Sequence, residues 1–260
     1  MSDEQTAHDH TTTAKLALAC LDLTSLTDGH DLQGGEADIE ALCARAQGRH
    51  GSTAAVCVWP RLASFARSLL PPAIAVAAVA NFPGGSSDIR RAVRDTADIV
   101  TAGAQEVDVV IPYRDLASAP ALLAAVRREC QGLVLKVIIE TGEIDDEAQV
   151  LQACRIALDA GADFLKTSTG KRPVAATPAA ARLLLAAIST DSGACARVGF
   201  KPAGGIRTVT EAALYMQLTA DMLGPGAVTP ARFRIGASGL LNDIEAVLSG
   251  AARPAAGNTY

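Results

Sequence analysis

The sequence has few aromatic side chains, few histidines and no long apolar run. Phe, Trp and Tyr supply only 3% of its 260 residues, although 49% of the residues are hydrophobic. The apolar content therefore lies in Ala, Val, Leu and Ile, which suit the interior of an α/β fold better than that of a β-sandwich. The apolar run 74–80 is much shorter than the ~20 residues needed to cross a bilayer, so we expect no membrane partner.

The chain also lacks an excess of basic residues and any cysteine motif. Its net charge of −5 and pI near 5.4 give no basic footprint for nucleic acid. A phosphorylated substrate is still compatible with this charge, because a few backbone N–H groups suffice to hold a phosphate. The six cysteines form no CxxC pair, and the first residues are polar and acidic, unlike a secretory signal. We therefore expect reduced thiols and a cytoplasmic protein.

Short apolar segments alternate with longer amphipathic ones, which predicts strands alternating with helices. The eight predicted strands cover 17–22, 54–59, 74–80, 106–111, 133–140, 162–167, 198–201 and 232–235. No GxGxxG loop follows the first strand, which argues against a doubly wound nucleotide-binding sheet. The pattern predicts a single-domain α/β protein, a TIM (β/α)₈ barrel over residues 15–250, with flexible segments at 1–14 and 251–260.

Lys166 and Lys201 each end a predicted strand, and a glycine-bearing loop follows each of them. One strand–helix–strand unit separates the two lysines, so we expect them on neighbouring parallel strands. A buried ammonium must be paired, neutral or reactive, and a second ammonium nearby lowers the pKa of at least one of them. Because a neutral lysine amine attacks carbonyl carbons, the pair predicts Schiff-base chemistry.

Three further charged residues lie within predicted strands: Asp22, Asp108 and Lys136. Side chains alternate along a strand, so these charges are able to point into the lumen of a barrel together with the two lysines. Any one of them alone is more often solvated or paired for structural reasons. Five inward charges together are not typical of a purely structural core, and they favour a catalytic site.

Several classes of protein compete with a Schiff-base aldolase. A zinc-dependent aldolase needs clustered histidine ligands, whereas the four histidines stand at positions 8, 10, 30 and 50. We therefore expect no metal and no cofactor. A different lysine-dependent barrel enzyme, such as a transaldolase-like or keto-acid aldolase, shares the chemistry. A non-catalytic sugar-phosphate binding protein is the third alternative, and the intact lysine pair argues against it.

Seven segments, in chain order, carry a resemblance to a known family. They are LDLT at 21–24, VCVWP at 56–60, NFPGG at 81–85, EVDVV at 106–110, KVIIETG at 136–142, FLKTSTGK at 164–171 and GFKPAGGIR at 199–207. Together they resemble the deoxyribose-phosphate aldolase family over nearly the whole chain. The last two segments are highly specific, whereas EVDVV or NFP alone is weak.

The resemblance implies a class I aldolase that reversibly cleaves 2-deoxy-D-ribose 5-phosphate to D-glyceraldehyde 3-phosphate and acetaldehyde, in deoxyribonucleoside catabolism. It implies that Lys166 forms the Schiff base, that Lys201 lowers the pKa of Lys166, and that Asp108 is the acid/base carboxylate. Asp22 and Lys136 would support this network. Tyr260 would relay a proton to the enamine carbon, because members of this family often end in a tyrosine that reaches the active site.

The glycine-bearing loops after the last three predicted strands are the expected phosphate site, because barrels often bind phosphate after strands 7 and 8. The candidate residues are Gly170, Lys171, Gly204, Gly205, Arg207, Gly236 and Ser238. The segment 234–238 resembles the family's final phosphate-binding strand and turn. The resemblance implies a small phosphorylated sugar and an aldehyde as partners, and a homodimer.

Overall fold

The computed structural model of the chain describes residues 3–27 and 35–251. Its strands are β1 Leu21–Thr24, β2 Ala55–Val58, β3 Ala75–Ala80, β4 Glu106–Val110, β5 Val134–Ile138, β6 Phe164–Lys166, β7 Gly199–Lys201 and β8 Ile235–Ala237. Its α-helices are α1 Asp3–Ala19, α2 Glu36–Ala46, α3 Pro60–Leu69, α4 Ile89–Thr101, α5 Ala119–Glu129, α6 Glu147–Asp159, α7 Pro178–Thr190, α8 Val209–Leu223 and α9 Leu240–Ser249. Short 3₁₀ turns lie at Thr141–Glu143 and Pro225–Ala227.

The eight strands form one parallel sheet in the order β7-β6-β5-β4-β3-β2-β1-β8. Two parallel bridges, Phe200 to Phe233 and Ala203 to Gly236, then bring β7 beside the β8 segment. The sheet thereby closes on itself, with the helices outside it. This architecture confirms the predicted TIM (β/α)₈ barrel.

The strands are buried on both faces, as expected when helices cover one face of a barrel sheet and side chains fill its lumen. Every residue of β2 and β4 is buried. Side-chain caps fix where several helices begin: Asp88 accepts from the Arg91 amide before α4, and Thr208 and Glu211 form a capping box at α8. Because all strands are parallel, their carboxyl ends open at one end of the barrel.

The N-terminus differs from the prediction. The flexible segment expected at 1–14 falls largely within α1, which continues to Ala19 and packs against α8 and α9. The first predicted strand, 17–22, also begins too early, because Ala14, Ala17 and Leu18 are buried at the spacing of a helix face. Strand β1 starts only at Leu21.

The C-terminal part differs from the prediction in the bounds of its last strand. The predicted strand 232–235 is displaced, and β8 begins at Ile235. Helix α9 ends at Ser249 with Gly250 in the left-handed conformation at its C-cap, φ 65°. The predicted flexible tail at 251–260 lies, beyond its first residue, outside the described residues.

Candidate active site

A cluster of buried charged side chains fills the lumen of the barrel. It joins four cations to three carboxylates, contributed by β1, β4, β5, β6, β7 and the residue before β8. The members are Asp22, Glu106, Asp108, Lys136, Lys166, Lys201 and Arg234. The structure therefore brings together all five charges that the strand pattern predicted to converge.

Lys136 lies at the centre of this cluster and is fully buried. Its ammonium nitrogen donates to Asp22 Oδ2 at 3.0 Å, to Asp108 Oδ1 at 3.0 Å and to Glu106 Oε2. Burial alone would lower the pKa of Lys136, but the three carboxylates outweigh it and hold that pKa well above its usual value. Lys136 is therefore a fixed positive charge that orients its three acceptors.

Lys166 and Lys201 are register partners on the neighbouring strands β6 and β7. Lys201 Nζ donates to Asp22 Oδ2 at 2.5 Å and to Asp108 Oδ2 at 2.8 Å. Lys166 Nζ donates to Asp108 Oδ2 at 2.7 Å, the same oxygen that Lys201 contacts. Lys201 thus has two carboxylate acceptors and Lys166 has one.

This unequal pairing gives the two amines pKa values that are shifted in opposite directions. Burial lowers the pKa of Lys166 below 10.5, and the charge of Lys201 lowers it further, against the opposing attraction of Asp108. Burial would lower the pKa of Lys201 too, but Asp108 and Asp22 outweigh it and raise that pKa. Lys166 is therefore the lysine of the pair that gives up its proton more readily.

The carboxylates respond in the opposite sense. Burial would raise the pKa of Asp108, but Lys136, Lys166 and Lys201 hold it well below 3.8. The same competition lowers the pKa of Asp22, where Lys136, Lys201 and Arg234 overcome its burial. Both groups are ionised at neutral pH and act as acceptors for the ammonium groups around them.

Glu106 and Arg234 belong to the cluster although the sequence analysis did not place them there. Arg234 Nη2 donates to Glu106 Oε1 at 2.8 Å, and Arg234 Nη1 donates to Asp22 Oδ1 at 2.7 Å. A signal for Glu106 was present, because it shares strand parity with Asp108 on β4. Arg234 falls in the segment 234–238 that resembles a phosphate-binding strand and turn, but its guanidinium donates to carboxylates in the lumen.

A cavity of about 660 Å³ opens above the cluster, and Lys166 is the cluster member on its wall. Lys166 is itself only 3% exposed. The wall on one side is formed by Thr24, Leu26 and helix α2, and on the other by the loops after β6, β7 and β8. A molecule in this cavity would meet one amine of lowered pKa, with the other charges behind it.

All seven predicted phosphate-binding residues lie on the wall of this cavity. The amides of four of them are already used. Gly204 N–H donates to the Gly236 carbonyl at 3.3 Å, and Gly236 N–H donates to the Pro202 carbonyl at 2.9 Å. Lys171 N–H donates to Thr169 Oγ1 at 3.1 Å, and Arg207 N–H donates to Glu211 Oε2 at 2.7 Å. A Cβ at Gly204 would stand 3.0 Å from Gly170 Cα, at φ 86°. Gly204 and Gly236 therefore shape the wall, which leaves Gly170, Gly205 and Ser238 as the better placed amide donors.

Side-chain hydrogen bonds connect the loops that form this wall. Ser168 Oγ donates to the Ala203 carbonyl at 2.6 Å, and the Ala203 amide donates to Thr167 Oγ1 at 3.0 Å. The buried Glu140 carboxyl accepts from the Thr169 amide at 3.2 Å. Burial raises the pKa of Glu140, partly offset by this contact with Thr169. The loop after β6 is thereby fixed to β5 and to the loop after β7.

The remaining expectations concern a metal, a membrane span, the cysteines and Tyr260. Within 3–27 and 35–251, no group of three or more His, Cys, Asp and Glu side chains is arranged to hold a metal ion. No helix in the same ranges has the length and apolarity of a membrane span. The six cysteines are all free thiols. Tyr260 lies outside the described residues.

A buried amine of lowered pKa, on the wall of a cavity in a (β/α)₈ barrel, is a group typical of enzymes that act on carbonyl compounds. The family model for DeoC/LacD family aldolases matches residues 3–245. The chain is 43% identical over 255 residues to a deoxyribose-phosphate aldolase from Agrobacterium fabrum, which covers 95% of this chain and 96% of the relative. The chain belongs to the DeoC/LacD family and is an aldolase, as the resemblance predicted.

Solved structures agree with this assignment. The aldolase QR15 superposes with a TM-score of 0.74 at 29% identity, over 90% of this chain and 96% of that one. A tetrameric deoxyribose phosphate aldolase from Aeropyrum pernix superposes with a TM-score of 0.73, over 95% of this chain and 98% of that one. Its identity of 22% supports the fold alone.

Proposed function

We propose that this chain is a class I aldolase that reversibly cleaves 2-deoxy-D-ribose 5-phosphate to D-glyceraldehyde 3-phosphate and acetaldehyde. The observation that carries the proposal is the placement of Lys166 on the cavity wall, with Lys201 beside it and Asp108 shared between them. The substrate follows from the 43% identical relative and from the residues expected to bind phosphate on the same wall. Its place in metabolism would be deoxyribonucleoside catabolism.

The lowered pKa of Lys166 provides the nucleophile. An ordinary lysine has a pKa of about 10.4, so only a few amines in ~10,000 are neutral at pH 7. The lowered pKa of Lys166 increases the neutral fraction, tenfold for each unit by which a pKa above the solution pH falls. The neutral amine adds to the aldehyde carbon C1 of the open-chain sugar, and loss of water from the carbinolamine gives an iminium ion.

The iminium then accepts the electrons of the breaking carbon–carbon bond. A base removes the proton of the 3-hydroxyl, the C2–C3 bond breaks, and D-glyceraldehyde 3-phosphate leaves an enamine on Lys166. Protonation of C2 and addition of water release acetaldehyde. We assign the proton transfers to Asp108 acting through water, since it is the carboxylate that contacts Lys166.

Borohydride trapping tests the proposed function directly. Incubation with acetaldehyde or deoxyribose 5-phosphate, followed by borohydride, should inactivate the enzyme and leave a reduced adduct on the peptide that carries Lys166. EDTA should have no effect on activity, since no step needs a metal. An adduct on another lysine, or activity lost to the chelator, would overturn the proposal.

We expect the phosphate to bind beside Gly205, which has φ 81° and open space where a Cβ would stand. Gly205→Leu should raise KM for deoxyribose 5-phosphate far more than for unphosphorylated deoxyribose, because the side chain would occupy the phosphate position. Gly224→Leu is the matched control: Gly224 has φ 87° and equally open space, but it is not on the cavity wall. Equal effects of Gly205→Leu on both sugars would place the phosphate elsewhere.

We propose that Tyr260 serves the enamine step and not imine formation. A phenol is able to relay a proton to or from the enamine carbon. Tyr260→Phe should therefore slow exchange of the acetaldehyde methyl protons with solvent, measured by NMR in deuterated water, while trapping at Lys166 survives. Wild-type rates of both exchange and cleavage in the Phe variant would remove Tyr260 from the mechanism.

We further propose a homodimer located in the cytoplasm. The free thiols of all six cysteines are consistent with a reducing compartment. The Aeropyrum pernix enzyme is tetrameric, so self-association occurs on this fold.

A further inference from the structure

Glu106 and Arg234 form a buried ion pair below the two active-site lysines. Besides the contact of Arg234 Nη2 with Glu106 Oε1, Arg234 Nη1 lies 3.2 Å from Glu106 Oε2. The guanidinium carbon also stands 5.6 Å from the centre of the Phe164 ring, and Arg234 Nε donates to the Pro230 carbonyl at 2.5 Å. Neither residue lies on the cavity wall, so a molecule in the cavity does not touch them.

Two chains of hydrogen bonds connect this pair to Lys166. In the first, Arg234 donates to Asp22 Oδ1, and Asp22 Oδ2 accepts from Lys201. Lys201 also donates to Asp108 Oδ2. In the second, Glu106 accepts from Lys136, which donates to Asp108 Oδ1. Both chains end on Asp108, the carboxylate that accepts from Lys166. A charge lost at either end therefore changes how strongly Asp108 holds the Lys166 proton.

We propose that Glu106 and Arg234 are positioning residues that set the basicity of the Lys166 amine, and with it the pH range in which the enzyme works. The inference rests on the proposed function, because it takes Lys166 as the nucleophile. It assigns the pair an effect on catalysis without any contact with substrate.

The sign of the effect differs between the two residues. Without the Arg234 charge, three cations face three carboxylates, Asp22 holds Lys201 more tightly, and Asp108 is left to hold the Lys166 proton. Without the Glu106 charge, four cations share two carboxylates, Lys136 depends more on Asp108, and Lys166 loses its proton more readily. Buried charges couple over such distances because the interior screens them less than water does.

The substitutions replace none of the other titratable or charged groups around Lys166. They are Asp22 from β1, Cys57 from β2, Asp108 from β4, Lys136 from β5, Glu140 after β5 and Lys201 from β7. Burial raises the pKa of the Cys57 thiol above 9.0, so burial disfavours a thiolate beside Lys166. A shift in the titration of Lys166 would therefore report on the altered pair.

The test compares Glu106→Gln with Arg234→Gln. For each folded variant, two pH profiles are measured: kcat/KM for deoxyribose 5-phosphate, and the rate of borohydride trapping at Lys166 with acetaldehyde. The acidic limb of both profiles, where the Lys166 amine becomes protonated, should move to lower pH in Glu106→Gln and to higher pH in Arg234→Gln. Each shift should be on the order of one pH unit. The double variant should return towards the wild-type limb, because the two charge changes cancel.

Arg234→Lys and Glu106→Asp are the controls, because they keep the charge and should leave the limb close to its wild-type position. If Arg234→Gln does not fold, Glu106→Gln and the double variant still decide the matter. The inference is overturned if the acidic limbs stay in place, or if they move in the same direction in Glu106→Gln and Arg234→Gln. An adduct on Lys166 in the wild-type enzyme would leave the proposed function intact in that case. Absence of that adduct in the wild-type enzyme overturns both.

Discussion

Lys166→Met is expected to lower kcat/KM for deoxyribose 5-phosphate by on the order of 10⁴-fold or more, and to abolish borohydride trapping. Methionine has a similar length and no amine, so the iminium cannot form. The chain should still fold, because Asp108 keeps its contacts with Lys136 and Lys201, and the cluster is left with three cations and three carboxylates. Cleavage kinetics and peptide mass mapping after borohydride measure both effects.

Lys15→Met is the matched control for this substitution. Lys15 lies exposed on α1 and is not on the cavity wall. The control variant should keep wild-type cleavage and trapping. If Lys166→Met retained either activity at more than a small fraction of the wild-type rate, another lysine would have to be the nucleophile.

Lys201→Leu is expected to lower activity at pH 7 by ~100- to 1,000-fold and to move the acidic limb of the pH–rate profile to higher pH. Lys201 is a cause of the lowered pKa of Lys166, and each unit by which that pKa rises reduces the neutral fraction tenfold below it. Because the neutral amine is the reactive form, activity should recover in part as the pH is raised. The measurement is kcat/KM from pH 5 to pH 10.

Lys201→Arg separates charge from geometry in the same experiment. It keeps a cation beside Lys166, so its acidic limb should stay close to that of the wild type even if the rate falls because the guanidinium fits poorly between Asp22 and Asp108. An acidic limb that does not move in Lys201→Leu would show that Lys201 does not act through the pKa of Lys166.

The sequence was sufficient to predict the barrel and the meeting of five charges. Lys166 and Lys201 end short apolar strands, and the side chains of Asp108 and Lys136 lie on the inward face of β4 and β5 by strand parity. Once eight strands close into a barrel, all their inward side chains lie in the same lumen. The convergence is therefore a consequence of topology and needs no detailed packing.

What the sequence did not reveal depends on exact element boundaries. Arg234 appeared to lie within a strand at 232–235, whereas β8 begins one residue after it and Arg234 reaches across the lumen to Glu106. The sequence does not indicate helix α1 because its first half is polar. The helix packs against α8 and α9, and Ala14, Ala17 and Leu18 in its second half are buried. In both cases a tertiary contact, and not local propensity, decides the structure.

The two sides of the cavity differ in how they would tolerate change in a directed-evolution experiment. On one side, a Cβ added at Gly204 would stand 3.0 Å from Gly170 Cα, and Ser168 donates a hydrogen bond to Ala203, so a new side chain there displaces main chain. On the other side, Ala41 and Leu42 belong to helix α2, where a substitution changes a side chain and leaves the helical backbone in place. Variants with an altered range of acceptor aldehydes should therefore accumulate on α2, while the glycine side stays unaltered.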